Sequence, residues 1–286
     1  MAEKVLIASD STCDLSAELI EKYGIKILPL GVTLGETTYT DGVDINPDMI
    51  YENYEKNGEL PKTSAVNIAD FEDFFEEYTS EGYSIVMFTI SSAMSSTFSN
   101  ARLAAEDFEN VYAVDTKNLS TGGGLLVLSA AELAQKGMGA KEIADECTRL
   151  AANVDASFVI DSLEFLHKGG RCSALAAFGA NLLQLKPCIV VKDGKMGVSK
   201  KYRGKFGAIL PQYIAERIGD GSDIYLDKVF VTHAGCDQAI VDACVAKVKE
   251  LVPSANVAIT RAGCTVSAHC GRNTLGVLFI RKSAVE

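Results

Sequence analysis

The sequence predicts an α/β fold in two domains, residues 1–153 with a parallel sheet flanked by helices and residues 154–286 with a mixed sheet. Three observations predict it. Short apolar runs alternate with helical patterns through the first half, which is the order of a parallel sheet with right-handed crossovers. The run Ile85–Ile90 is apolar without alternation, Thr89 apart, as a strand buried on both faces should be. In the second half Cys188–Val191 and Met196–Ser199 flank Asp193-Gly194, a hairpin signal that adds an antiparallel pair.

Taken in order, Lys4–Ser9 reads as a strand ending in Asp10-Ser11-Thr12-Cys13-Asp14, and Ser16–Tyr23 as a helix stopped by Gly24. Ile25–Leu34 reads as extended with a break near Pro29, and Thr37–Asp44 as a polar, turn-rich segment. Asn46 caps a helix that runs to about Lys56, with Pro47 at its first position. Pro61–Ala65 is expected as an exposed hydroxyl turn before a helix around Phe71–Tyr78. After the central strand a helix runs to about Asp107, then come a strand at Val111–Val114 and helices at Ser120–Lys136 and Ala140–Ala152. Gly122–Gly124 is expected to permit close helix packing rather than phosphate contact. Beyond Asn153 the expected strands include Ala156–Ile160, Lys195–Lys200, Val229–Thr232, Asn256–Thr260 and Gly276–Arg281. The helices among them are Leu163–His167, Gly204–Arg217 and Ala239–Leu251, with His269 in a polar loop.

Composition narrows the function. The 286 residues carry 27 basic against 38 acidic side chains, a net charge of −11, with 48% hydrophobic residues. That is a globular composition, and its charge argues against nucleic acid as a partner. No apolar stretch approaches the length of a transmembrane helix, and the N-terminal apolar run is too short for a signal peptide. Eight cysteines show no CxxC and no framework spacing, so a reducing cytoplasm without disulfides is expected.

After the central strand come Ser91, Ser92, Ser95, Ser96, Thr97 and Ser99. Such a turn places hydroxyls and free N–H groups at the carboxyl edge of the sheet, where α/β sheets bind ligands and a helix N-terminus favours anions. Capping alone would need one hydroxyl. The excess points to a pocket for a carboxylate or phosphate, built from neutral donors. GxGxxG, GxxxxGK[ST] and GxSxG are absent. Cys264, His269 and Cys270 fit no structural zinc spacing, so no metal is expected. Ser95, His269 and Asp10 could form a hydrolase triad, but no nucleophile elbow supports it. Arg171 follows two glycines, where a helix C-terminal cation also belongs. Lys200, Lys201, Arg203 and Lys205 form a positive patch suited to an acidic partner or a phosphorylated ligand. The residues alone leave three readings open: a carrier, a serine hydrolase of lipid-like esters, or a binding module for a small carboxylate or phosphate.

Several motifs occur together and in order. They are Asp10-Ser11-Thr12-Cys13-Asp14-Leu15, Thr63-Ser64, Ile90-Ser91-Ser92-Ala93-Met94-Ser95-Ser96-Thr97-Phe98 and Leu166-His167-Lys168-Gly169-Gly170-Arg171. Tyr202-Arg203-Gly204, Val231-Thr232-His233 and Ala268-His269-Cys270-Gly271 follow. Across essentially the whole chain they resemble the DegV family of bacterial fatty-acid-binding proteins. The resemblance implies a two-domain DegV-like α/β fold and no catalytic residue or cofactor. It also implies a buried tunnel for a fatty acid of about 14–20 carbons, each buried methylene contributing about 0.8 kcal/mol. The implied protein partner is a bacterial fatty acid kinase, which phosphorylates the bound carboxylate to an acyl phosphate for phospholipid synthesis; transient membrane contact is compatible with this.

Carried over by matching motif, Thr63 and Ser95 would hydrogen-bond the carboxylate, with Ser92 and His269 close to it. Arg171, Arg203 and His269 would form the charged surface on which the kinase docks. The chain departs from the family pattern in places. Its Ser-Gly-Thr turn is Ser95-Ser96-Thr97 here, the Gln-Pro-Ser after Thr63-Ser64 is Ala65-Val66-Asn67, and the proline-glycine stretches near the last motif are Ala262-Gly263 and Gly271-Arg272-Asn273. The backbone at residue 96 is therefore where the turn is expected to tighten or shift.

Overall fold

The computed structural model describes residues 3–172 and 185–285. β1 (Lys4–Asp10) leads into α1 (Ala17–Tyr23) and the short strands β2 (Lys26–Leu28), β3 (Gly31–Leu34) and β4 (Thr37–Thr40). Next come α2 (Pro47–Asn57), β5 (Lys62–Ser64), α3 (Ile68–Ser80), β6 (Tyr83–Thr89), α4 (Thr97–Ala105) and β7 (Val111–Asp115). α5 (Thr121–Gln135) and α6 (Ala140–Leu150) precede β8 (Val154–Ile160) and α7 (Glu164–Gly169). The remainder is β9 (Leu185–Lys192), β10 (Lys195–Arg203), α8 (Phe206–Ile218), β11 (Ile224–Ala234), α9 (Gln238–Leu251), β12 (Val257–Arg261), α10 (Cys264–Cys270) and β13 (Thr274–Arg281).

The expected parallel sheet is present, in the order β2-β1-β6-β7 with every pairing parallel. β6 lies between two neighbours, and all but its first residue are buried, which is why its sequence does not alternate. The second sheet is mixed, in the order β10-β9-β8-β13-β11-β12. Only β11 and β12 pair in parallel; the other pairs are antiparallel. At the tip of the β9–β10 hairpin Asp193 and Gly194 both take positive φ, 50° and 79°, as a two-residue turn between twisted strands requires.

Local signals behave as their chemistry dictates. Ser16 Oγ accepts from the Leu19 N–H at 3.3 Å, and Gly24 closes α1 at φ 64°. Asn46 caps α2 on the N–H groups of Asp48 and Met49, with Pro47 at the first position. α5 is apolar on all sides because it is packed between the two large sheets, touching β1 and β6 of one and β8, β11 and β13 of the other. Its glycines allow that closeness. A Cβ at Gly124 would lie 2.7 Å from the Cys13 carbonyl oxygen, and one at Gly122 would lie 3.1 Å from the Ala156 Cβ on β8.

Three segments differ from expectation. Thr37–Thr40 and Lys62–Ser64 are strands rather than turns, forming with β3 a third, antiparallel sheet in the order β4-β3-β5. Cys264–Cys270, expected as loop, is the helix α10. It follows the second-half strands in the chain yet packs against α2, β3 and β5 of the first half as well as α7.

Candidate functional site

A chamber of about 230 Å³ opens where α10, β5, the turn after β6 and the end of α7 meet. Thr63 enters from β5, Ser95 and Ser96 from the hydroxyl turn, Arg171 from just beyond α7, and Thr265 and His269 from α10. Apolar side chains complete it, among them Leu30, Ile90, Met94 and Met196. Leu119, Val266 and Cys270 belong also to the wall of a second chamber of about 30 Å³, lined further by Ala156, Phe158 and Leu278. The first chamber therefore has a polar end and shares an apolar wall with the second.

The His269 ring lies with Nε2 2.9 Å from Thr63 Oγ1. Its other nitrogen, Nδ1, is buried without a partner. It faces Gly169 so closely that a Cβ there would lie 2.5 Å away. A buried bare lone pair costs less than a buried unpaired N–H. The proton is thus assigned to Nε2, which donates to Thr63 and leaves the threonine's own proton for the chamber. Burial, and secondly the charge of Arg171, push the His269 pKa down to about 4. His269 is therefore neutral near pH 7.

Ser95 is half-buried, with its Oγ 2.8 Å from Thr97 Oγ1 and accepting the Thr97 N–H at 3.2 Å. This pins the start of α4, and Ser95 lines the chamber. Ser96, where the family pattern has glycine, sits at φ −76°, ψ −2°, a conformation open to any residue. Arg171 is exposed at the rim and donates through Nη1 to the Gly169 carbonyl at 2.7 Å, so it caps α7 and bounds the chamber at once.

Two expected site residues are not brought here. Ser92 is exposed, and Asp115 engages both its N–H, at 3.2 Å, and its hydroxyl. Arg203 lies exposed at the end of β10, in register with Leu185, and does not line the chamber. In its patch Lys200 is paired with Glu216 at 2.6 Å. The hydrolase triad is not assembled either. Ser95 Oγ bonds Thr97 rather than His269, whose Nε2 meets Thr63, and Asp10 spends its oxygens on Thr12 and on the Ile90 N–H at 2.7 Å. No group of three or more His, Cys, Asp or Glu among the described residues is arranged to hold a metal.

What sequence reasoning missed is the chamber's frame. Asp41 accepts from the N–H groups of Cys264 at 2.9 Å and Thr265 at 3.0 Å, and from Ser11 Oγ at 3.0 Å. Asp14 accepts from the Gly263 N–H at 2.8 Å and from Ser120 Oγ. Two buried aspartates from the first half thus hold the N-terminus of α10, whose far end presents His269.

The same architecture recurs in known proteins. A DegV domain-containing protein of Clostridium acetobutylicum is 35% identical over 283 residues, covering 98% of this chain and 99% of that one. A fatty-acid-binding DegV family protein of Thermus thermophilus superposes with a TM-score of 0.89 at 28% identity, covering 97% of this chain and 99% of that one. A stearic-acid-binding protein of Eubacterium ventriosum does so with a TM-score of 0.83 at 28% identity, covering 97% and 98%. The family described as "Uncharacterised protein, DegV family" matches residues 4–282. With the fold, the chamber and the match each spanning both halves, the chain belongs to the DegV family.

Proposed function

We propose that this protein binds a long-chain fatty acid, with its carboxylate in the first chamber and its tail directed through the second, and presents the carboxylate to a fatty acid kinase. The observation that carries this reading is the polar group Thr63, Ser95 and His269 in a chamber that shares the wall residues Leu119, Val266 and Cys270 with a second, mostly apolar one. Burial of the tail supplies affinity at about 0.8 kcal/mol per methylene, so the head group needs only orientation. Met94 and Met196, unbranched and adaptable, are the wall residues best able to move aside for a tail. A small polar carboxylate would leave the apolar chamber unused, and a hydrolase would need a base that Ser95 lacks.

Neutral hydroxyls orient a carboxylate without the strong pairing an arginine fork would make. The carboxylate keeps its nucleophilic character toward a phosphoryl donor, a transfer governed by positioning and electrostatics. Arg171 at the rim is placed to meet the charge of that donor, and Arg203 with its patch would serve docking from outside the chamber. The bound acid is the only group this reading requires, and the carrier would work in the cytoplasm against a membrane-derived supply. No helix among the described residues is long and apolar enough to cross a membrane. Native mass spectrometry of protein purified from cells tests the reading: an extra mass of one fatty acid is expected. Ligand-free protein that hydrolyses short esters, and loses this with Ser95→Ala, would overturn it.

A further inference from the structure

α10 divides its inner face between two tasks. Val266 and Cys270, four residues apart, line both chambers, whereas Thr265 and His269, also four apart, line only the first. The helix thus presents an apolar stripe toward the tail space and a polar stripe toward the head-group space. His269 is accounted for by its bond to Thr63. Thr265 is not. It is 4% exposed, and its Oγ1 is buried without a hydrogen-bond partner among the described residues. Hydroxyls are rarely left so, because burial removes water and nothing replaces it. Other buried oxygens without partners, those of Tyr51, Thr89 and Asn118, belong to residues outside the walls of both chambers. The backbone of Thr265 is fixed as well, since its N–H is held by Asp41. An orphaned hydroxyl on a fixed backbone in a ligand chamber is a donor kept for the ligand.

We propose that Thr265 is a head-group-binding residue whose hydroxyl donates to the carboxylate of the bound acid beside Thr63 and Ser95. The proposal rests on the fatty-acid reading above. Its stoichiometry is chemically closed: an ionised carboxylate offers about four acceptor sites and has room for three hydroxyl donors. Thr63 has a free proton when His269 donates to it, Ser95 has one when Thr97 donates to it, and Thr265 has one in any case. The polar stripe of α10 also fixes the ligand's direction, because the alternative places the carboxylate against Val266 and Cys270.

The test compares delipidated parent, Thr265→Val and Thr265→Ser for binding of stearate and of stearyl alcohol, together with the melting temperature of each empty protein. Valine has nearly the shape of threonine without the hydroxyl. Stearate affinity of Thr265→Val should fall about tenfold or more, the effect of losing a bond to a charged acceptor. Affinity for the alcohol, a neutral acceptor, should fall at most about threefold. The empty Thr265→Val protein should melt at or above the parental temperature, because an unpaired buried hydroxyl has been removed. Thr265→Ser should recover stearate binding. If the parent binds stearate and Thr265→Val binds it equally well, or loses acid and alcohol alike with a lower melting temperature, Thr265 is structural and the proposal is wrong. If the parent binds no stearate, the fatty-acid reading itself fails and takes the proposal with it.

Discussion

Asp155 on β8 and the trio Asp10, Asp14 and Asp41 around the chamber are buried to similar depth, at 1%, 1%, 6% and 4% exposure. Asp155 is met by two cations, Arg217 from α8 and Arg281 from β13, the latter at 2.7 Å. Among the described residues the trio is met by no cation, only by backbone N–H groups and the hydroxyls of Ser11, Thr12 and Ser120. Location explains the difference. An arginine buried behind the chamber would compete with the hydroxyls for the carboxylate of a bound acid. Charge therefore compensates charge on the far side of the second sheet, whereas neutral donors meet the acids around the chamber; on the fatty-acid reading, that leaves the chamber free of a competing cation. Each arrangement has its own vulnerability.

Removing the acid from the charged arrangement should have the largest effect. Asp155→Ala leaves two arginines, each about one-fifth exposed, sharing a site built for an anion. Breaking a buried ion pair from one side costs about 3–5 kcal/mol, and the arginines' partial access to water puts the expectation near the lower end. A urea titration should show a lower midpoint at unchanged slope. A loss below about 1 kcal/mol would mean the arginines re-solvate freely, and the contrast with the trio would collapse.

The neutral arrangement should instead show itself through pH. Burial pushes Asp14 up from 3.8 to about 8 and Asp10 up to about 6, against their hydrogen bonds. Both groups hold their protons more tightly folded than unfolded, so stability falls as pH rises from about 4 toward 6 and 8. His269, depressed from 6.5 to about 4, works oppositely, adding stability as pH rises through that interval. The buried thiols with printed values, such as Cys270 at about 12, titrate far above it. Between pH 6.5 and 8 Asp14 is therefore the dominant titrating group of the site. Over that window stability should drop by roughly 1–2 kcal/mol, at most one proton's worth. Denaturant midpoints measured across it should flatten in Asp14→Asn. A parental protein whose stability is level from pH 6.5 to 8 would show that the hydrogen bonds outweigh burial.

The same contrast explains what could be read from the chain in advance. β6 and the β9–β10 hairpin were legible because burial on both faces and a two-residue turn leave local signatures in composition. β4 and β5 were not: Thr37–Thr40 and Lys62–Ser64 are three or four residues long, polar, and defined by pairing with β3. α10 was the hardest. Its seven residues are buried on nearly every side, so no amphipathic period appears, and no capping side chain precedes it. Its cap is Asp41, more than 200 residues away. Hydroxyls such as Thr63 and Ser95 stood out as chemistry, but that Thr63 meets His269 while Ser92 turns to Asp115 is decided by tertiary packing. The apolar walls could not be told from ordinary core, since a tail and a core ask for the same side chains.

The smallest expected effect concerns charge on the outside. Arg203 is exposed and away from the chamber, so it resembles the charged arrangement in chemistry while lacking its burial. Water and salt screen such a group, and its contribution to an encounter is about 1 kcal/mol or less. If the patch around it docks the kinase, Arg203→Ala should leave the stoichiometry of bound acid unchanged and slow acyl-phosphate formation by about two- to fivefold at low salt. The gap between parent and variant should close as salt rises, because added ions screen the parental attraction too. Acyl affinity and transfer rate separate the two arrangements: a residue of the chamber moves the first, a residue of the rim only the second. Lipid-loaded Arg203→Ala phosphorylated at the parental rate in low salt would remove Arg203 from the docking surface. It would leave Arg171, which touches both the rim and the chamber, as the cation that the kinase reading then has to rely on.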